Sequence, residues 1–418
     1  MSVGLAVEPG TAAPPPAGRG RDHRWLWVAV ALVAVAVFSL VRIVTGEHAL
    51  DSPGSLRAAL IATCPILMAA IGGLWSERAG VVNIGLEGQM ILGTWGAAYF
   101  TYYYGPWVGI LGAALLGGVG GALHALATVN FGVDHIVSGV AINLIATGGV
   151  KFAAEAYFKD LDGGGVKQLQ GLNKLDYVTV PGISDLFVDI ADKHWFLVSD
   201  LAAMGAAATT RVSPLVVLVF VLLALTSVVL WRTSFGLRLR SCGENPQAAE
   251  TLGVNVYLHK WAAVVTSGAM AGIGGGFLVA ENGFVTGQTN ERGYLGLAAM
   301  IFGNWRPGGI FGGAFLFGYT DSLRLRDPAT IHALLLFVAI ALLAMAIWRL
   351  ASGKTVAGLV IGGFAVAFGL WFFLTDEVPT EFASLTPYLA TLLVLGFFAQ
   401  RLRMPKADGQ IYRKGSAG

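Results

Sequence analysis

The sequence predicts an all-α, polytopic helical membrane protein with about ten to twelve transmembrane helices, some of them broken or re-entrant. Three observations carry that class. Hydrophobic residues make up 55% of the chain and charged residues 12%, with a mean hydropathy of +0.68, against roughly 25% charged residues in an ordinary soluble domain. Residues 25–41 and 213–231 contain no ionisable side chain, which meets the roughly 17 to 25 residues a helix needs to cross hydrocarbon. The runs also lack the period of two that barrel strands require, so helices remain as the spanning structure whose backbone satisfies itself in lipid.

Residues 1–23 are rich in Pro, Ala and Gly and then turn basic, and they read as a disordered cytoplasmic tail. The run at 25–44 has a basic flank but no small-residue cleavage pattern after it, so it reads as an uncleaved first helix. Apolar runs follow at 56–74, 86–104, 107–128 and 135–153, and an acidic loop occupies about 154–212. Further runs lie at 213–232, 262–281, 294–304, 308–323, 331–348, 355–374 and 385–400. Lys and Arg accumulate in cytoplasmic connections. Arg19, Arg21 and Arg24 therefore place the N-terminus inside, Arg238, Arg240 and Lys260 place the loop 233–261 inside, and Arg403, Lys406, Arg413 and Lys414 place the basic tail 403–418 inside. The loop 154–212 then falls outside. The scheme closes only if 294–323 crosses twice or re-enters, giving one transmembrane domain over 24–402. Many of the 57 glycines lie in the apolar runs, notably 112–125 and 267–277, where small residues four apart allow close helix approach.

Several functions are excluded on composition and motif. A net charge of +2 is too small to argue for nucleic acid. Cys64 lies in an apolar run and Cys242 in a polar loop, which argues against a disulfide framework, and the seven histidines show no metal-ligand spacing. The run "GIGGGF" at 272–277 has Phe277 where a dinucleotide fingerprint needs its third glycine. "WRLASGKT" ends like a phosphate-binding loop, but Trp348 stands where the first glycine belongs. With no metal or acidic motif in any loop, a membrane enzyme acting on lipid-linked sugars has little support.

Two stretches carry chemistry. In "SERAGVVNIGLEGQM" (76–90), Glu77, Arg78, Asn83, Glu87 and Gln89 sit with three glycines between apolar runs. A carboxylate at the bilayer centre costs about 2.5 to 3.5 kcal/mol on insertion scales, so Glu87 is expected to face a polar path or to be an internally paired structural acid. Glu77, Arg78 and Arg306 also read as interfacial anchors. "FGNWRPGGIFGG" (302–313) is a second Gly/Pro-interrupted segment, and paired broken segments point to a solute pathway. Asn83, Glu87, Gln89, Asn143 and Asn304 are the expected pathway residues, amides being suited to an uncharged polar solute. In "FGLRLRSCGENPQAAETLGVNVYLHKWA" (235–262), Asn245 suits an N-cap, Pro246 the first helical position and Gly253 the left-handed position past the end, specifying a two-turn helix.

The pattern Arg240, Gly243, Glu244, Asn245, Ala248, Ala249 and Gly253 followed by "VNV" resembles the coupling loop of ABC importer permeases of the ribose and branched-chain amino acid class. "ERAGVVNIGLEGQMILG", "GLAAMIFGNWRPGGIFGGAFLFG" and "LTPYLATLLVLGFFAQRLRMPKADGQIYRKG" are similar to its nucleoside-type branch, which also serves guanosine and simple sugars. The resemblance implies a permease subunit of the bacterial cell membrane with both termini cytoplasmic. It has no ATPase site of its own; ATP and Mg belong to a separate ABC ATP-binding subunit. A second, paralogous permease and an extracellular solute-binding lipoprotein complete the implied assembly. The apolar pair at about 329–376 departs from the family pattern and is expected to pack peripherally. The alternative from another class is an ion-coupled secondary transporter with Glu87 as its proton or sodium site.

Overall fold

The computed structural model describes residues 24–323, 328–379 and 402–415. The first helices are α1 (Arg24–Thr45), α2 (Pro53–Arg78), α3 (Leu86–Tyr104), α4 (Pro106–Ala125, continued by a π-helical turn, Leu126–Asn130) and α5 (His135–Phe158). Then come α6 (Ile183–Ala191), α7 (Val198–Thr209), α8 (Pro214–Arg232), α9 (Ser234–Glu244) and α10 (Pro246–Thr251). The last are α11 (Val256–Asn282), α12 (Arg292–Phe302), α13 (Pro307–Leu323), α14 (Pro328–Ala351) and α15 (Thr355–Leu374). Seven described helical stretches are long and apolar enough to cross a membrane. Every apolar run predicted between 25 and 374 is a helix; the expected tail 1–23 and the run 385–400 lie outside the described residues.

Local chemistry sets the helix starts. Ser52 accepts from the Ser55 N–H ahead of Pro53, Asp134 accepts from the N–H groups of Ile136 and Val137, and Pro106 and Pro214 occupy first-turn positions where a missing N–H costs nothing. α11 lies at the centre of a bundle with α2, α3 and α4. It reaches α4 through glycines: a Cβ on Gly268 would collide with the backbone of Gly117 and Gly121. In lipid, such backbone-to-backbone packing replaces the hydrophobic force that drives helices together in water.

The region 154–212 is more structured than the predicted loop. α5 continues to Phe158, α6 and α7 pack on one another, and α7 lies against α2. A two-residue strand, β1 (Gln168–Leu169), pairs antiparallel with β2 (Phe284–Val285) and so ties this region to the chain leaving α11. Buried Arg42 of α1 pairs with Asp51 at 2.9 Å and with Asp200 of α7 at 3.4 Å. α14 and α15 form an outlying hairpin: α1 lies against α14, and α15 packs chiefly along α14 with much of its apolar surface outward.

Of the two broken segments expected, the one within 76–90 is in place and the other lies elsewhere. α12 has 11 residues, about 17 Å of helix, little more than half of a roughly 30 Å hydrocarbon core. Gly296 of α12 meets Ala69 and Ala70 of α2, and Ala69 stands nine residues from the Arg78 end, about 14 Å along the axis. α12 therefore starts at mid-depth, after the non-helical stretch 286–291. α3 starts at the same level, because Glu87 touches Gly293. The expected second break at 302–313 is instead the tight turn joining α12 to α13. Asn304 and Trp305 take φ of 54° and 52° there, and Pro307 opens α13.

Candidate functional site

Two clusters hold the residues with chemistry. The first forms where the chain leaves α2 at Arg78, runs without helix through 79–85, and restarts as α3. Gly80 turns this stretch with a φ of 81°, a left-handed conformation natural to glycine. Asn83 is fully buried: its Nδ2 donates to Gln89 Oε1 and to Ser267 Oγ, both at 2.9 Å, and Gln89 Nε2 donates back to Asn83 Oδ1 at 3.2 Å. Asn143 of α5 crosses from the other side. Its Oδ1 accepts from the Gly88 N–H at 2.7 Å, and its Nδ2 donates to the Ile84 carbonyl at 3.1 Å and to Tyr294 Oη at 2.8 Å. Glu87 Oε2 accepts from the Gly293 N–H at 2.7 Å, so an α3 carboxylate seats on the first turn of α12, where the helix dipole favours negative charge.

Four expected pathway residues thus gather around the start of α3, and one does not. Asn83 and Gln89 satisfy each other against α11, whereas Glu87 and Asn143 meet α12. Asn304 lies apart, in the α12–α13 turn, where its Oδ1 accepts from the Arg403 N–H at 2.7 Å. Sequence reasoning missed Tyr294, whose ring is 41% exposed beside Asn143. It also missed His124 and His135, which brace 79–85 by bonding Val82 O at 2.9 Å and the Val82 N–H at 3.2 Å. Spacing offered no signal for either histidine. A polar ring at the first position of the short apolar run 294–304 was the available signal for Tyr294.

The second cluster lies at the Arg78 end of the bundle. Asn245 Oδ1 accepts from the Ala248 N–H at 3.0 Å, Pro246 begins α10, and Gly253 has a φ of 79°, as the caps predicted. Glu244, Asn245, Ala248 and Gly253 are exposed, whereas Gly243 and Ala249 are buried. Arg240 Nε donates to the Leu230 carbonyl at 2.9 Å and its guanidinium lies over the Trp231 ring, which fixes the corner between α8 and α9. Gly243 packs on the backbone at Arg78 and Gly80 so closely that a Cβ would displace it. Glu77 and Arg78 are not exposed anchors. Trp305 Nε1 donates to Glu77 Oε2 at 2.6 Å, and Arg78 Nη2 donates to the Trp305 carbonyl at 2.7 Å, which clamps the α12–α13 turn to the end of α2. Residues 402–415 cross this face, with the Ala407 N–H donating to the Gly243 carbonyl at 2.9 Å. Burial pushes the Asp408 carboxyl up to about 7, beside Glu77, Lys260 and Arg78.

Both cysteines are free and buried, and the described residues contain no group of three or more metal-ligating side chains. A multi-pass bundle with two helices starting at mid-depth, around an apposed carboxylate and amides, is the architecture of a membrane permease. The chain belongs to the family described as branched-chain amino acid transport system / permease component, which matches residues 55–345. It is therefore a transport component and a multi-pass membrane protein. It is 34% identical over 364 residues to the nucleoside ABC transporter permease protein NupC of Lactococcus lactis subsp. cremoris, covering 85% of this chain and 95% of that one. It is 31% identical over 368 residues to the guanosine ABC transporter permease protein NupQ of Bacillus subtilis, covering 86% and 96%. The more distant NupB of the same Lactococcus is 23% identical over 283 residues, covering 64% of this chain and 72% of NupB. No solved structure matches the chain.

Proposed function

We propose that this permease is the membrane subunit of an ATP-binding cassette importer for nucleosides. It sits in the bacterial plasma membrane with both termini cytoplasmic. The observation that carries the reading is the meeting of α3 and α12 at Glu87 and Gly293, with Asn143 and the exposed ring of Tyr294 alongside. An uncharged solute with a flat base and hydroxyls needs an aromatic face and amide or phenol hydrogen bonds, and that edge offers both. The names of the relatives NupC and NupQ support the same solute class. Asn83 and Gln89 shape the segment beneath, and Asn304 belongs to the cytoplasmic turn.

ATP with Mg is bound and hydrolysed on a separate ATP-binding subunit, which grips α10. The route from that grip to the solute is short. Arg240 fixes α9 to α8, Gly243 seats α9 on the end of α2 at Arg78 and Gly80, and 79–85 leads directly to Glu87. A shift of α10 therefore moves the start of α3 against α12, a change between two packings biased by nucleotide on one side and by the loaded receptor on the other. A second permease and a solute-binding lipoprotein complete the transporter. The ion-coupled alternative needs Glu87 open to a proton or sodium; its bond to the Gly293 N–H favours a fixed structural role.

Proteoliposomes holding the whole complex, loaded with ATP on the nucleotide-binding side, test the reading. Uptake of labelled guanosine or adenosine that needs ATP and ignores ionophores is expected. Uptake that survives ATP removal and collapses with the ion gradient would overturn it.

A further inference from the structure

The C-terminal segment does not trail into solvent; it is built onto the coupling helix. Tyr412 Oη donates to Glu250 Oε2 of α10 at 2.6 Å, and the Tyr412 ring packs against Tyr257 at the start of α11 with centroids 5.5 Å apart. Ala249 of α10 is buried in the same small apolar cluster, with Cys242, Val256 and Tyr412. Five residues earlier, the Ala407 N–H holds the Gly243 carbonyl, and Arg403 N–H holds Asn304 in the α12–α13 turn. α10 has only six residues and could not hold its angle against a load alone. The segment supplies the second fixed point.

The same stretch presents apolar side chains to water. Leu252 at the end of α10 is 84% exposed, Met404 55% and Ile411 52%, with Lys406 and Lys414 exposed among them. Apolar groups held outward on an aqueous face, on backbone that is itself hydrogen-bonded in place, mark a surface made to be covered.

We propose that residues 402–412 are a second docking element for the ATP-binding subunit, which seats on α10 and on this segment together. The proposal rests on the reading of α10 as the coupling helix, and the hydrogen-bonded continuity of the two elements commits the surface to that one partner. Tyr412 is a positioning residue: it sets the angle of α10 through Glu250 without touching solute or nucleotide.

The test uses the whole complex in native membranes. The natural thiols Cys64 and Cys242 are buried, so Leu252→Cys and Ile411→Cys each add a reactive exposed thiol for benzophenone maleimide, whose photoexcited ketone then inserts into a C–H bond of whichever polypeptide lies against it. Both are expected to form adducts with the ATP-binding subunit. If Leu252→Cys links to that subunit and Ile411→Cys does not, or links instead to the second permease, the docking role of the segment is overturned while the coupling helix stands. If neither links, the coupling reading itself fails and takes the proposal with it. In parallel, Tyr412→Phe at equal membrane level is expected to keep ATP hydrolysis while solute moved per ATP falls roughly tenfold, the worth of a hydrogen bond to a charged group. An unchanged ratio of uptake to hydrolysis would remove Tyr412 from the coupling path.

Discussion

Asn143 shows how one side chain joins three pieces of chain: it accepts from Gly88 and donates to Ile84 and Tyr294, so α5, the start of α3 and α12 share a single amide. Its choice from the sequence as an expected pathway residue rested on amides donating and accepting without fixing a charge, which suits an uncharged polar solute. Asn304 carried the same signal, yet it serves the Arg403 backbone, since residue type says nothing of depth. Asp408 gives a prediction at this scale. Its ordinary carboxyl pKa of 3.8 rises to about 7 when the tail is seated, burial being the main cause, with Glu77, Arg78 and Lys260 facing it. The seated state thus holds a proton that the released state has lost. Seating is favoured at low pH and weakens as pH rises towards about 7. In inside-out vesicles, trypsin cleavage in the tail is expected to accelerate between about pH 5 and about pH 7, to level off above that, and to stay level throughout in Asp408→Asn.

α10 was the most legible element, because caps are local: Asn245, Pro246 and Gly253 each act within one turn, with no help from tertiary packing. What the sequence could not separate is its two alanines. Ala248 is exposed and Ala249 is 2% exposed. Ala248→Glu is expected to preserve the amount of permease in the membrane and to reduce ATP-driven uptake at least tenfold, measured against a blot of the same vesicles. Ala249→Glu is expected to lower the amount itself, since an unpaired charge among Cys242, Val256 and Tyr412 costs several kcal/mol. The mid-depth break before α12 was illegible for a related reason. The residues "VTGQTNERG" at 285–293 read as a solvated loop, and nothing in hydropathy distinguishes polar groups satisfied by water from those satisfied by protein. The glycines and proline of 302–313 look like a broken helix and make a turn, because Gly303 and Gly309 permit two backbones to touch.

Across the whole molecule, the sidedness expected from the Lys and Arg pattern constrains the peripheral hairpin of α14 and α15. Removing residues 329–376 as a pair keeps an even number of crossings, so the tail stays on the side of α10; removing α15 alone reverses it. With Met404→Cys as reporter, the paired deletion is expected to label only after the cytoplasmic side is opened, and the single deletion from outside the cell with loss of ATP-driven uptake. The interlocking at the Arg78 end was not readable, since it joins Glu77, Arg78, Gly243, Trp305 and Ala407 from distant parts of the chain, and local spacing carries no record of which side chain meets which backbone group. At the other cluster, the carboxylate of Glu87 already occupies the seat on α12 where an anion would bind. On the proposed pathway a phosphorylated molecule would find that seat already filled, so a cell that adds phosphate to its cargo on arrival has a one-way door.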